Sequence, residues 1–270
     1  MSALEGKVAF ITGGAGSIGL ATAKAFADAG ASVFIVDLEQ QALDRALAEL
    51  PEDRAGAAIA DVTDSAAIAA AVHDAVTRFG GLDAVFANAG IFGVAAPITE
   101  YPEDVFERVL AVNVLGPFHV AKHALPKMRR GGSLTINSSV VGLMADAKIG
   151  AYATSKHAVV GLMRTLTKEM APAGIRVNTI HPGPVDNSFQ HAIEVDVLDM
   201  PEPEASAMFA GFIPLGRHAK PEEIASVVVF LASDGGAFIN GTTIVIDGGI
   251  SSCPDCAAHQ LNAAVAHATV

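Results

Sequence analysis

Short, almost unbroken apolar runs recur along this chain, separated by longer alanine-rich stretches of helical period. The runs fall at residues 8–12, 32–36, 56–60, 84–87, 134–137, 175–180 and 242–246. Most are apolar at consecutive positions rather than at every second one, as strands buried on both faces are. Segments 17–29, 40–50, 64–79, 102–128, 151–171 and 221–233 read as helices. The last opens Pro221-Glu222-Glu223, a proline and two acids in the first turn, where both are favoured. Strands and helices alternating through short links predict an α/β fold: one doubly wound parallel sheet of seven strands with helices on both faces.

Two segments break the rhythm. Residues 183–220 are long, acidic and interrupted by Pro184, Pro201, Pro203 and Pro214, which reads as a lid loop. Residues 251–270 follow the last strand as a tail, so the expected domain spans 1–250. With 51% hydrophobic and 17% charged residues, the chain has the material for one dense core. No apolar run approaches the roughly 18–20 residues a bilayer span needs. The opening MSALEGKVAFITGG lacks the basic start of a signal peptide. A formal charge of −12 argues against a nucleic-acid partner, whose phosphates demand a basic face. Two cysteines exclude a disulfide framework and suit a reducing cytoplasm.

The first strand ends in Thr12-Gly13-Gly14-Ala15-Gly16-Ser17-Ile18-Gly19 and runs into a helix. Small residues there allow a tight turn and let backbone N–H groups and the helix dipole reach a pyrophosphate. Glycine-rich turns are common, but this one sits between strand and helix, as a Rossmann-like nucleotide site requires. Asp37 ends the next strand 18 residues after Gly19, where a carboxylate takes ribose hydroxyls and repels a 2′-phosphate. No lysine or arginine lies in the loop or beside Asp37 and Leu38, so the expected cofactor is NAD.

Ser139, Tyr152 and Lys156 form a second cluster. Tyr152 and Lys156 stand at i and i+4 of one helix and share a face. A tyrosinate base at neutral pH needs its pKa lowered by about 3 units from 10, roughly 4 kcal/mol, which a nearby ammonium could supply. Ser139 closes the fifth strand at the carboxyl edge, where such sheets bind ligands.

Taken with Asp61-Val62, Asn88-Ala89-Gly90, Asn113, Pro182-Gly183 and Asn240-Gly241…Asp247-Gly248-Gly249, these motifs resemble the short-chain dehydrogenases/reductases of the compact, single-domain branch, over about residues 5–250. The resemblance implies an NAD-linked oxidoreductase interconverting a small secondary alcohol and its ketone, working as a homotetramer or dimer. It implies Tyr152 as general acid/base, Ser139 as partner of the reacting oxygen, and Lys156 as the tuner of Tyr152 and holder of the nicotinamide ribose. It implies Asn113 as the anchor of a relay water. Gly13, Ser17, Ile18, Gly19, Asp37 and Leu38 would face pyrophosphate and ribose, and Asp61 and Val62 the adenine. Asn88, Ala89 and Gly90 would line the cleft, with Pro182 and Val185 beside the nicotinamide. The chain departs from the pattern twice: Ser17 replaces the branch's usual glycine, giving an epimerase-like glycine spacing, and Asn187 stands where threonine usually contacts the carboxamide. A non-catalytic dinucleotide-binding regulator and an NAD-bound epimerase or dehydratase are the rival readings.

Other residues have plainer readings. Phe92, Val140, Val141, Met144 and Phe189 are candidates for an apolar substrate pocket or simply for core. His119 and His123 share a helix face without an acid between them, which fits a helix surface or subunit contact better than a metal. Cys253 and Cys256, with His259 and His267, lack a second well-spaced pair for zinc, and no metal is expected. Pro117 cannot donate to the Asn113 carbonyl, so a kink is expected between them.

Overall fold

The computed structural model describes residues 3–252. Seven strands build one sheet: β1 (Val8–Thr12), β2 (Ser32–Asp37), β3 (Ala55–Ile59), β4 (Leu82–Ala87), β5 (Met128–Asn137), β6 (Arg176–Pro182) and β7 (Thr243–Ile246). Their order is β3-β2-β1-β4-β5-β6-β7 and every pairing is parallel. The order reverses direction between β1 and β4, so the carboxyl ends of these two strands leave a crevice between the loops that follow them.

Helices cover both faces, which is why the strands are apolar at consecutive positions. Val8 and Phe10 of β1 pack with α3 (Ser65–Phe79), α5 (Gly116–Ala124) and α6 (Gly150–Met170). Ala9 and Ile11 pack on the other side with α1 (Ser17–Asp28), α2 (Gln40–Leu47) and α9 (Pro221–Ala232). Among the described residues no helix is long and apolar enough to cross a membrane.

Two expectations are corrected. The single helix expected over 102–128 is instead α4 (Glu103–Leu110), a π turn over Ala111–Leu115, α5, a 3-10 turn over Leu125–Lys127 and the start of β5. Pro117 has no N–H for the Asn113 carbonyl, and the coil widens just before it. The segment 183–220 is not an irregular loop. It holds α7 (Ser188–Leu198) and α8 (Glu202–Phe212), with Pro201 capping α8 and Pro203 in its first turn, where the missing N–H costs nothing. Phe209, Phe212, Val197 and Leu198 close an apolar cluster against Phe92, Val140 and Ile149, so this pair of helices packs over the carboxyl edge of the sheet. His218 bonds the fully buried Glu194 at 2.6 Å and ties α7 to the segment before α9.

Candidate active site

The loop after β1 is shaped by close backbone packing. A Cβ at Gly19 would sit 1.9 Å from the Gly13 carbonyl oxygen, and one at Gly14 would sit 2.6 Å from Ile35 Cβ. Gly13 itself has φ +63°, in the region that favours glycine. Gly16 is the looser position, its nearest contact being 3.4 Å away. Gly16 is also the N-cap of α1, so that helix starts with no side-chain cap. The first-turn residues Ser17 and Ile18 border the cleft, and no acid occupies that turn. Uncapped N–H groups at a helix N-terminus are the donor set a pyrophosphate requires, so these residues fit a dinucleotide. Asp37 supports the same loop: its carboxylate accepts from Ala15 N at 2.9 Å and Leu38 N at 2.8 Å.

The opposite wall is a chain of side-chain clamps. Asn88 Nδ2 donates to the carbonyls of Thr12 and Gly13, each at 3.1 Å, locking the loop after β4 to the loop after β1. Asn137 Nδ2 donates to Asn88 Oδ1 at 2.9 Å and extends the lock to β5. Asn113, buried at the π turn, accepts from Ile91 N and donates to Ile91 O, both at 2.8 Å, and to Ser155 Oγ at 3.0 Å. Its amide thus holds the Asn88–Phe92 loop against α6. A Cβ at Gly90 would lie 3.3 Å from Asn113 Oδ1, so only glycine fits this clamp comfortably.

On α6, Tyr152 and Lys156 lie one turn apart on the face toward the cleft, as their spacing predicts. Lys156 is buried, its Nζ donates to the Asn137 carbonyl at 2.9 Å, and it lies 5.4 Å from the Tyr152 ring centre. Ser139, just beyond β5, borders the cleft beside the Tyr152 phenol and works against its upward shift. The completely buried His181 holds Ser139 from behind, with Nδ1 2.7 Å from its carbonyl and Nε2 2.9 Å from Thr179 Oγ1. A carbonyl can only accept, so Nδ1 carries the proton and the Thr179 hydroxyl donates to Nε2.

Protonation runs against one expectation. Burial pushes the Tyr152 phenol up to about 12, and Ser139 only partly opposes it. Burial also brings Lys156 down to about 8. The ammonium therefore does not lower the tyrosine in this state: it points at Asn137, and desolvation of the phenol outweighs it.

A cleft of about 730 Å³ joins these parts. Of the expected residues, Gly13, Ser17, Ile18, Asp37, Leu38, Asp61, Val62, Asn88, Ala89, Gly90, Ser139, Tyr152, Lys156, Pro182 and Val185 border it. Gly19 and Asn113 stand one layer behind, acting through the Gly13 carbonyl and the Ile91 backbone. Phe92, Val140, Val141, Met144 and Phe189 all line the cleft, joined by Ile193, Val197 and Phe209 from α7 and α8. Asn187 lines it too, but its side-chain oxygen caps α7 by accepting from Gln190 N at 2.8 Å. His119 and His123 bond Val62 O and Ser65 Oγ, each at 2.9 Å, so both tie α5 to the segment that leads into α3. Sequence reasoning missed Asn137 and His181 as supports, because a carbonyl anchor and a buried histidine leave no motif. The cysteines and histidines of the tail lie outside the described residues.

A doubly wound parallel sheet, with an uncapped helix N-terminus at its switch point and a serine–tyrosine–lysine cluster across the same cleft, defines a class of α/β enzyme folds rather than one protein. Comparison with known proteins narrows the class. The family profile described as enoyl-(acyl carrier protein) reductase matches residues 13–251. Momilactone A synthase of Oryza sativa subsp. japonica is 40% identical over 253 residues, covering 92% of this chain and 91% of that protein. The crystal structure of levodione reductase matches with a TM-score of 0.89 at 33% identity, over 92% of this chain and 99% of that one. NAD+-bound xylitol dehydrogenase matches with a TM-score of 0.84 at 33% identity, over 91% and 99%. The chain belongs to the short-chain dehydrogenase/reductase family and is an oxidoreductase of that family.

Proposed function

We propose that this enzyme interconverts a secondary alcohol and its ketone with NAD, Tyr152 acting as general acid/base. One observation carries the reading: Ser139, Tyr152 and Lys156 converge on the cleft that the uncapped α1 N-terminus and Asp37 also border. In the reductive direction the Tyr152 phenol donates its proton to the substrate oxygen, which the Ser139 hydroxyl orients. A phenol held near 12 suits this acid role. In the oxidative direction Tyr152 must lose that proton, and positive charge close by favours the loss. When bound, the nicotinamide ring supplies the hydride exchange and, in its oxidised form, part of that charge. Lys156, its Nζ 5.4 Å from the Tyr152 ring centre, would hold the nicotinamide ribose. Asn113, one layer behind, keeps the wall in register and anchors the relay water at the kinked turn.

The preference for NAD rests on Asp37, a carboxylate at the end of β2 with no cation in the glycine loop to receive a 2′-phosphate. Asp61 and Val62 take the adenine, and Pro182 and Val185 the nicotinamide side. A homo-oligomer, a dimer or tetramer, is part of the same proposal, supported by the large apolar side chains Leu115, Phe118, Phe230 and Phe238 exposed on the described surface. A reducing cytoplasmic setting follows from the low cysteine content. The test is a panel of secondary alcohols and ketones with NAD and NADP, followed by reduced-nicotinamide absorbance. Turnover with NAD preferred supports the reading; no turnover across the panel in either direction removes it.

A further inference from the structure

Among the described residues, the substrate half of the cleft contains one carboxylate that neither the fold nor the proposed proton transfer uses. Asp146 lies on the segment linking the Val140–Gly142 turn to α6, seven residues after Ser139 and six before Tyr152. It is half-buried and borders the same cleft. The other two carboxylates of the lining have protein partners: Asp37 holds Ala15 and Leu38, and Asp61 holds Thr63 through both its N–H and its hydroxyl. Asp146 makes no hydrogen bond or ion pair among the described residues, and burial alone pushes its carboxyl upward.

Its surroundings make that isolation informative. Phe92, Val140, Met144, Phe189, Val197 and Phe209 present hydrocarbon to the cleft. Other polar residues of the lining have protein partners: Gln190 donates its amide to Glu194 at 3.0 Å, and Ser138 donates to the Lys156 carbonyl at 2.9 Å. Among the described residues only Lys156 and Arg108 supply cations to the lining, and neither pairs with Asp146. A carboxylate partly withdrawn from water without a partner is penalised. A ligand that brings a donor to it removes that penalty, whereas a bare hydrocarbon ligand deepens it. An anionic ligand adds repulsion. A polyol would strand most of its hydroxyls against apolar walls.

We propose that Asp146 is the specificity-determining residue of this site. It selects a largely apolar alcohol or ketone that carries one further hydrogen-bond donor, a hydroxyl or an ammonium, away from the reacting carbon. The inference rests on the alcohol–ketone reaction proposed above.

The test uses the full-length enzyme with NAD and a series sharing one ring: cyclohexanol, cyclohexane-1,4-diol, 4-aminocyclohexanol and 4-hydroxycyclohexanecarboxylate, with the 1,2- and 1,3-diols to cover reach. The expected result is a kcat/KM for the best diol or the amino alcohol at least about tenfold above cyclohexanol, the size of one hydrogen bond to a charged group. The carboxylate should fall below cyclohexanol. Preference for the amine over the diol identifies an ion pair, and parity identifies a neutral donor. Asp146→Leu should abolish or reverse the preference, raising kcat/KM for cyclohexanol while lowering it for the diol. Asp146→Asn, which keeps the shape, should remove the discrimination against the carboxylate. If the wild type turns over the series but shows no preference, or if Asp146→Leu leaves the preference unchanged, the assignment of Asp146 is wrong while the reaction stands. If the enzyme turns over other secondary alcohols or ketones but no member of this series, the assignment of Asp146 is wrong; if it turns over none in either direction, the reaction itself fails and the inference falls with it.

Discussion

Lys156 is held in the folded protein at a cost that a methionine should relieve. The residue is buried on α6 with the Asn137 carbonyl as its hydrogen-bond partner, and desolvation lowers it from 10.5 to about 8. An unfolded lysine keeps its proton to about pH 10.5 while the folded one releases it near 8. Across that interval the unfolded state binds more protons, so stability rises with pH. Below pH 8 the full difference weighs against folding, on the order of 3 kcal/mol. By pH 10 most of it has gone, so the Lys156 contribution changes by roughly 2–3 kcal/mol between pH 7 and pH 10. Lys156→Met removes this titration and keeps the hydrocarbon stem. Urea unfolding of the cofactor-free enzyme and the variant at both pH values measures the effect. The advantage of the variant over the wild type at pH 7 should shrink by roughly 2–3 kcal/mol at pH 10, whatever the lost Asn137 bond costs, while turnover falls by orders of magnitude. Parallel pH dependences for the two proteins would refute the reasoning.

Other consequences follow from the same geometry. Gly19→Ala forces a Cβ to 1.9 Å from the Gly13 oxygen, and should cost about 1–3 kcal/mol in thermal unfolding and sharply weaken NADH binding by fluorescence titration. Gly16→Ala, with its nearest contact at 3.4 Å, should do neither. Asp37→Ala should weaken NAD and narrow the gap to NADP in kcat/KM; a wild type that already prefers NADP contradicts the role given to this carboxylate. His218→Ala leaves the buried Glu194 without its 2.6 Å partner and should cost about 3 kcal/mol in denaturant unfolding, with most of the loss recovered when Glu194→Leu is added.

What could be read without coordinates was whatever repeats or clusters locally. The consecutive apolar residues of β1 and β2 announced strands covered on both faces, and β1 is buried at every position. The glycine loop and the Tyr152–Lys156 spacing carried the two halves of the candidate site. Residues 128–133, Met-Arg-Arg-Gly-Gly-Ser, have no strand propensity, yet they extend β5 because Met128 and Ser133 find β4 partners and Arg129 pairs with Asp83. Helices α7 and α8 were hidden because Pro201 and Pro203 were read as loop markers, whereas both serve as the start of α8. The direction of the Tyr152 shift was also beyond the sequence, since i and i+4 spacing says nothing about burial or about Lys156 turning to a carbonyl of β5.

The central claim is that Tyr152 moves the proton in an NAD-linked alcohol–ketone exchange. Its most direct measurement is the turnover of Tyr152→Phe beside its NADH affinity, with any substrate the wild type accepts. The change removes one oxygen and keeps the ring that packs 5.5 Å from Phe92 and 6.5 Å from Phe189. The account predicts kcat lower by at least about a hundredfold, the usual scale of lost general acid–base catalysis, with NADH binding within about twofold of the wild type. A variant that keeps most of its turnover would contradict it.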